Sequence, residues 1–157
     1  MKFDHWTIPH DVMADTQPAM QRGLHEVFVL WASSLASPRA SCDVARVIVP
    51  RQRPGQTRSG VYVHIEGTEL QRIQIDNFGR HEWNVVQLHT HPSSDVEMSA
   101  LDREWEVVRH VGALSIIVPA YCTRGLRFFE GANVYEREEH DWRLWPPAEV
   151  SARFRFT

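Results

Sequence analysis

The sequence predicts one α/β domain that spans residues 1–157. A chain of 157 residues has the usual size of a single domain and is long enough to bury a hydrophobic core. Hydrophobic residues make up 43% and charged residues 24% of the chain, close to the average of globular proteins, which excludes a disordered or fibrous class. Runs of β-prone residues alternate with helical patterns, and no repeat or Gly/Ser/Pro-rich linker divides the chain.

The first half of the chain predicts two helices, two strands and one loop. Scattered apolar positions between a proline and a glycine favour the first helix, and apolar spacing that stops at a glycine favours the second. Continuous β-prone runs favour the strands, which we expect to be neighbours, and a cluster of turn formers favours an exposed loop. The predicted elements are a helix within residues 9–25, strands at Val27–Trp31 and Ala45–Val49, a loop over residues 50–60 and a helix over Glu66–Asn77.

The second half contains the strongest helical pattern in the chain. Apolar residues recur at positions 101, 105, 108 and 111 before a glycine, which predicts a helix from Ser99 to Val111. Buried-type apolar runs predict strands on both sides of it, and Glu130-Gly131-Ala132 indicates the turn of a hairpin. The other predicted elements are strands at Trp83–Leu88 and Leu114–Val118 and a hairpin of Leu126–Phe129 with Asn133–Arg137.

Charge, hydropathy and cysteine content argue against several classes of protein. A net charge of −3 with scattered arginines does not favour nucleic acid as a partner. The apolar runs are shorter than the roughly 20 residues that cross a bilayer, so no membrane span is expected. The N-terminus lacks the pattern of a secretory signal, which favours the cytoplasm and reduced cysteines. Cys122 lies either near a functional edge or, as is more common for cysteine, in the core.

Two histidines at a strand end are candidate metal ligands. His89 and His91 are two residues apart, so on a strand their side chains point to the same face, with Cα atoms about 6.5–7 Å apart. Ser99 and Asp102 follow after a short turn, at the start of the predicted helix. They fit a capping box, in which Ser99 caps the helix, and they also fit a site in which Asp102 turns toward a metal. The two interpretations are compatible.

Two imidazoles and one carboxylate form a ligand set that is typical of a hydrolytic zinc ion. Such an ion keeps one coordination position open. Bound zinc lowers the pKa of water from about 15.7 toward about 7 and polarises a carbonyl. The sequence therefore predicts Zn²⁺ as a cofactor held by His89, His91 and Asp102, with a separate general base still to be identified.

The spacing of these residues resembles a known motif. The chain matches every fixed position of the pattern His-x-His-Pro-x6-Ser-x2-Asp, with His89, His91, Pro92, Ser99 and Asp102. This pattern is that of the JAB/JAMM (Mov34/MPN) zinc metallopeptidases. The chain is similar to their prokaryotic JAB-type, deubiquitinase-like members. The resemblance implies a single MPN/JAB-type domain with a mixed, mostly antiparallel β-sheet flanked by helices, of the cytidine-deaminase-like kind.

The resemblance extends over residues 20–120 and implies two catalytic side chains. Family members use an upstream glutamate, placed before a hydrophobic strand, as the base that takes a proton from the attacking water. Glu26 occupies that setting here, and Ser99 is expected to stabilise the oxyanion. A solvated carboxylate at a helix end is the alternative interpretation of Glu26. Rival bases in the sequence are Glu66, Glu69, Glu82 and Glu97.

The resemblance also implies a substrate and partners. The expected reaction is cleavage after the C-terminus of a ubiquitin-like protein, either in deconjugation or in precursor processing, in a bacterial ubiquitin-like conjugation or antiphage system. Associated activating and conjugating enzymes are further expected partners. Segments Arg51–Gly60 and Pro92–Met98 are expected to border the groove for the extended tail. The alternatives are removal of a small C-terminal group from a sulfur-carrier protein, a metal-free MPN scaffold and a DNA-repair-associated branch.

Overall fold

The structure, a computed structural model, describes residues 2–36, 40–58 and 60–157. Within these residues the chain forms ten β-strands and four α-helices. The strands are β1 (His5–Ile8), β2 (Phe28–Ser34), β3 (Ser41–Ile48), β4 (Arg53–Thr57), β5 (Gly60–His64), β6 (Glu82–Thr90), β7 (Leu114–Val118), β8 (Asn133–Arg137), β9 (Trp142–Leu144) and β10 (Phe154–Phe156). The helices are α1 (His10–Met20), α2 (Gly67–Arg80), α3 (Ala100–Glu104) and α4 (Pro147–Arg153).

Eight of the strands form one mixed sheet. Its order is β10-β1-β3-β2-β6-β7-β8-β9, and β4 and β5 form a separate two-stranded sheet. Within the described residues, β1 pairs in parallel with β10 and β3, β6 pairs in parallel with β7, and the other four pairs of the large sheet are antiparallel. The predicted α/β fold with a mixed, mostly antiparallel sheet flanked by helices is therefore confirmed. The cytidine-deaminase-like assignment stays a prediction.

Side chains of β2 divide the core between the two faces of this sheet. Val29 and Trp31 belong to the cluster that includes Met20 of α1, whereas Leu30 packs in a second cluster with Ile73 of α2. Because neighbouring side chains on a strand point to opposite faces, α1 and α2 cover opposite sides of the sheet. β6 lies between β2 and β7, so the strand that contains His89 and ends directly before His91 is an interior strand of the sheet.

Most predicted elements are present, with small shifts of their ends. The runs Val27–Trp31 and Ala45–Val49 correspond to the antiparallel neighbours β2 and β3, and Leu114–Val118 is β7. The helix expected within residues 9–25 is the shorter α1. Both cysteines are buried and free, in agreement with the expectation of reduced thiols. In the part of the chain that the structure describes, no helix is long and apolar enough to span a membrane.

The loop predicted over residues 50–60 is wrong for most of its length. Residues 53–57 form β4, which pairs with β5 in a β-hairpin, while Ser59 lies outside the described residues. The glycine and proline content that indicated a loop is accommodated because Gly55 lies directly opposite Tyr62. A Cβ at Gly55 would come within 2.2 Å of Cζ of Tyr62, so glycine is needed for the tyrosine ring to lie across β4.

The helix predicted from Ser99 to Val111 is much shorter than the sequence pattern suggests. Only α3, with its five residues Ala100–Glu104, is helical. The side-chain oxygen of Gln87 on β6 accepts hydrogen bonds from the backbone N–H groups of Val107 and Val108, each at 3.0 Å. These N–H groups would be bonded within a continuous helix, so a tertiary contact replaces the expected helical bonds.

The predicted hairpin of Leu126–Phe129 with Asn133–Arg137 is also wrong. The first run forms a 3₁₀ turn over Arg127–Phe129, in which Phe128 and Phe129 have positive φ angles of 48° and 57°. The second run is β8, which pairs with β7 and β9. The sequence analysis did not identify the short elements β1, β5, β9, β10 and α4, because strands of three to five residues and a helix of seven residues carry little periodicity.

Candidate metal centre

β6 delivers both candidate histidines to one point at its C-terminal end. It is held between β2 and β7, and the backbone N–H of His91 extends the pairing by donating to the carbonyl of Val118 at 2.8 Å. His89 and His91 are 5% and 9% exposed, and their Nε2 atoms lie 3.2 Å apart. The ring of Phe28, directly across on β2, stacks on His89 with ring centres 6.3 Å apart. Strand pairing places both imidazoles, and the stacking on Phe28 orients that of His89.

The start of α3 brings Asp102 onto the same point. Ser99 caps the helix: its hydroxyl oxygen accepts from the N–H of Asp102 at 3.1 Å, and its own N–H donates to Oδ2 of Asp102 at 2.8 Å. The carboxylate oxygens also lie 3.2 Å from Nε2 of His89 and 3.2 Å from Nε2 of His91. The capping box and the metal-facing arrangement are therefore both present. We call His89, His91 and Asp102 the His-His-Asp cluster.

The geometry of the His-His-Asp cluster fits a tetrahedral metal ion. Nitrogen and oxygen ligands lie about 2.0–2.2 Å from zinc, which places neighbouring ligand atoms of a tetrahedron about 3.3–3.6 Å apart. The separation of 3.2 Å between the two Nε2 atoms is close to this value, as are the 3.2 Å from Nε2 of His89 to Oδ1 of Asp102 and the 3.2 Å from Nε2 of His91 to Oδ2. Nδ1 of His91 lies 2.9 Å from the carbonyl of Asp95, an acceptor that places the proton on Nδ1 and leaves Nε2 free to ligate.

The electrostatics of the cluster favour a cation. Burial disfavours the charge on Asp102, but hydrogen bonds with His89 and His91 outweigh burial and hold the pKa of this carboxyl well below its usual range. Burial also lowers the pKa of His91, yet the Asp102 carboxylate outweighs it and raises that pKa above the ordinary value. A carboxylate that stays charged beside two imidazoles stabilises positive charge, as a divalent ion requires.

Glu26 faces the same cavity as the cluster. It is 6% exposed, lies two residues before β2 and lines a cavity together with His89 and Asp102. Burial raises the pKa of its carboxyl to about 7, the positive charge of His91 opposes this, and the negative charge of Asp102 adds to it. A carboxyl group with a near-neutral pKa can accept a proton and return it. The alternative interpretation of Glu26, a solvated helix-end carboxylate, is therefore wrong.

The rival glutamates have other partners or are exposed. Glu69 is bound by Arg51 and Arg72, and Glu82 by Arg46, so these carboxylates are already engaged in ion pairs. Glu66 pairs with Arg53 and His64, and Glu97 is exposed on the segment before α3. None of the four lines the cavity that Glu26 shares with the cluster. Glu26 is the candidate that the fold brings to the metal centre.

Aromatic residues that the sequence analysis missed form the walls of this cavity. Tyr62 and Val63 reach it from the β4–β5 hairpin, and Trp105 and Leu101 reach it from α3 and its end. The rings of Tyr62 and Trp105 meet edge to face, with centres 5.0 Å apart, and Trp105 remains 46% exposed. The sequence does contain a signal for Tyr62, because it lies opposite Gly55 on the neighbouring strand. This pairing can be identified only after residues 53–64 are recognised as a hairpin.

Comparisons with known proteins identify a relative by sequence and a solved structure of similar fold. No family model matches the chain. A protein of Sinorhizobium fredii named "Probable metalloprotease y4jG" is 25% identical over 154 residues, which cover 96% of this chain and 93% of that protein. The solution structure of protein DSY2949 from Desulfitobacterium hafniense resembles this fold with a TM-score of 0.61 and 13% identity, over 97% of this chain and 92% of that chain.

Proposed function

We propose that this chain is a zinc-dependent, JAMM-type metallopeptidase that hydrolyses the bond after the C-terminus of a ubiquitin-like protein. The bond is a peptide bond in a precursor or an isopeptide bond in a conjugate. The enzyme works in the cytoplasm, in a bacterial ubiquitin-like conjugation or antiphage system, where the activating and conjugating enzymes are its further partners. The relative named as a probable metalloprotease supports the metal-dependent hydrolase activity in this proposal.

The observation that carries the proposal is the convergence of three ligand side chains. Nε2 of His89 lies 3.2 Å from Nε2 of His91, and each nitrogen lies 3.2 Å from one oxygen of the Asp102 carboxylate, Oδ1 for His89 and Oδ2 for His91. These separations are close to the ligand spacing of a tetrahedral zinc site. Two histidines and one carboxylate leave a coordination position for the reaction, unlike the closed four-ligand sites that only stabilise a fold. These three residues occupy the ligand positions of the JAMM pattern, which the chain matches at every fixed position.

Glu26 and Ser99 supply the remaining chemistry. A zinc ion in the cluster would polarise the scissile carbonyl and make water a stronger nucleophile. Glu26 takes a proton from the attacking water and returns it to the leaving amine, a role suited to a carboxyl with a pKa of about 7. The Ser99 oxygen accepts from the N–H of Asp102, so its own O–H remains available to donate to the developing oxyanion.

An extended, narrow substrate is supported by the form of the cavity. The β4–β5 hairpin, which contains most of the Arg51–Gly60 segment, contributes Tyr62 and Val63 to one wall, and Trp105 stands against Tyr62. Aromatic walls beside the ligand cluster favour a tail with small side chains over a bulky folded segment. The C-terminal tail of a ubiquitin-like protein meets this requirement.

The experiment presents candidate ubiquitin-like proteins with short C-terminal extensions and as lysine conjugates, with zinc and with a chelator. We expect cleavage after the C-terminal residue of the ubiquitin-like protein, lost with chelator and restored by zinc. His89→Ala should lose this activity, while replacement of the exposed His140 by alanine should retain it. Cleavage that persists with chelator contradicts the proposal. A sulfur-carrier protein as the one cleaved substrate would favour the alternative function.

A further inference from the structure

Glu26 lies in a stretch of chain that regular structure does not fix. Residues 21–27 belong to neither a helix nor a strand, and β2 begins only at Phe28. General-base catalysis needs the carboxylate within about 2.6–3.2 Å of the proton it accepts, so its backbone must be placed accurately. Nδ1 of His25 lies 3.1 Å from the carbonyl oxygen of Glu26, and further contacts hold the two residues that follow Glu26.

Thr90 makes one of these contacts from between the two histidines. It is fully buried, and because it alternates with His89 and His91 on the strand, its side chain points away from theirs. Its hydroxyl oxygen accepts from the N–H of Val27 at 2.9 Å, and its N–H donates to the carbonyl of Val27 at 3.2 Å. Both hydrogen bonds hold the residue that directly follows Glu26.

Gln52 holds the next residue from the opposite side. β3 stops at Ile48, and Pro50 has no N–H to continue the pairing with β2. The amide of Gln52 takes the place of the missing strand: its oxygen accepts from the N–H of Phe28 at 2.7 Å, and its nitrogen donates to the carbonyl of Phe28 at 2.8 Å. The same nitrogen donates to the carbonyl of Pro50 at 2.8 Å, which fixes the amide.

We propose that Thr90 and Gln52 are positioning residues that hold Glu26 against the His-His-Asp cluster. Neither side chain acts on the substrate. Thr90 lies between His89 and His91 and binds Val27, next to Glu26. The position of Glu26 is therefore coupled to that of the two histidines. Gln52 prevents the start of β2 from separating from the sheet where β3 has ended. This inference rests on the proposed function, in which Glu26 is the general base.

The catalytic part of the test compares variants that remove or keep each hydrogen bond. Thr90→Val has the same shape without the hydroxyl, and we expect its kcat to fall about 10- to 100-fold, with KM and zinc content unchanged. Thr90→Ser keeps the acceptor and should stay within about threefold of the wild-type kcat. Gln52→Leu should lower kcat in the same way. Thr16→Val is the control, because this buried threonine hydroxyl bonds Trp31 and Val12 away from Glu26.

A second measurement separates positioning from general stability. In a Glu26→Gln background, Thr90→Val should cause no further fall in the residual rate, since the base that it positions is absent. Independently of activity, exchange of the Val27 amide proton should be faster in Thr90→Val and unchanged in Thr90→Ser. The inference is overturned by multiplicative losses in the double variant, by unchanged Val27 exchange, or by loss of zinc in step with activity. Wild-type protein that cleaves no substrate would instead refute the proposed function.

Discussion

Replacement of Glu26 by glutamine should raise the stability of the metal-free protein while abolishing most of its activity. Burial raises the pKa of this carboxyl from 4.5 to about 7, so between these pH values the folded state keeps a proton that the unfolded state has released. Wild-type protein therefore loses stability as pH rises from about 4.5 to 7 and stays less stable above it. A difference of about 2.5 pKa units corresponds to about 3.4 kcal/mol.

Glutamine has the same shape as glutamate and carries no charge, so Glu26→Gln avoids the loss of stability that comes from burying a charged carboxylate. We expect Glu26→Gln to gain about 2–3 kcal/mol over wild type at pH 8, and nothing near pH 4, in urea unfolding with chelator present. With zinc restored, hydrolysis should fall about 10²- to 10⁴-fold while the metal is retained. The exposed Glu97, changed to glutamine, should alter neither quantity. An active Glu26→Gln enzyme, or one no more stable than wild type at pH 8, would refute this reasoning.

Three further changes test other parts of the structure. Ser99→Ala should slow turnover about 100-fold in steady-state kinetics, with zinc content largely unchanged on metal analysis. Loss of the helix cap should also lower the free energy of unfolding by about 1 kcal/mol, as measured by urea unfolding. Gly55→Ala should displace the Tyr62 ring and raise KM in steady-state kinetics, because the new Cβ would lie 2.2 Å from Cζ of that ring. Glu149→Gln should lower stability at pH 7 by about 1–2 kcal/mol, since hydrogen bonds from Arg143 hold the pKa of Glu149 near 2. Wild type should lose the stability contributed by Glu149 as pH falls from about 4.5 toward 2, whereas Glu149→Gln should not. Thermal unfolding of both proteins across this pH range measures the difference, and a parallel loss of stability in the two would contradict the prediction.

The candidate ligands were predictable because their geometry is local. His89 and His91 share a face by strand alternation, and Asp102 follows one short turn later at a helix start, so sequence spacing specifies most of their arrangement. Glu26 is separated from them by more than sixty residues, and only the pairing of β2 with β6 brings it to the cavity. The resemblance to a family identified it, whereas periodicity alone gave no reason to prefer it over other glutamates.

The errors arose where a tertiary contact outweighed a local pattern. The helix predicted from Ser99 to Val111 stops early because Gln87, on another element, binds two backbone N–H groups that a helix would use. The β4–β5 hairpin was read as a loop because its glycine and proline content is typical of turns, although Gly55 serves to admit the Tyr62 ring. Neither the contact of Gln87 with the end of α3 nor the fit of Tyr62 against Gly55 leaves a periodic trace in the sequence.

The catalytic role of every other residue depends on a metal ion bound by the His-His-Asp cluster. The most direct test is metal analysis of the purified protein and of Asp102→Ala after equilibration with one equivalent of zinc. We predict one zinc ion per wild-type chain and a large loss of zinc in Asp102→Ala, because that carboxylate lies 3.2 Å from Nε2 of both His89 and His91. Folded wild-type protein without stoichiometric zinc, or an Asp102→Ala variant that binds zinc as well as wild type, would contradict the claim.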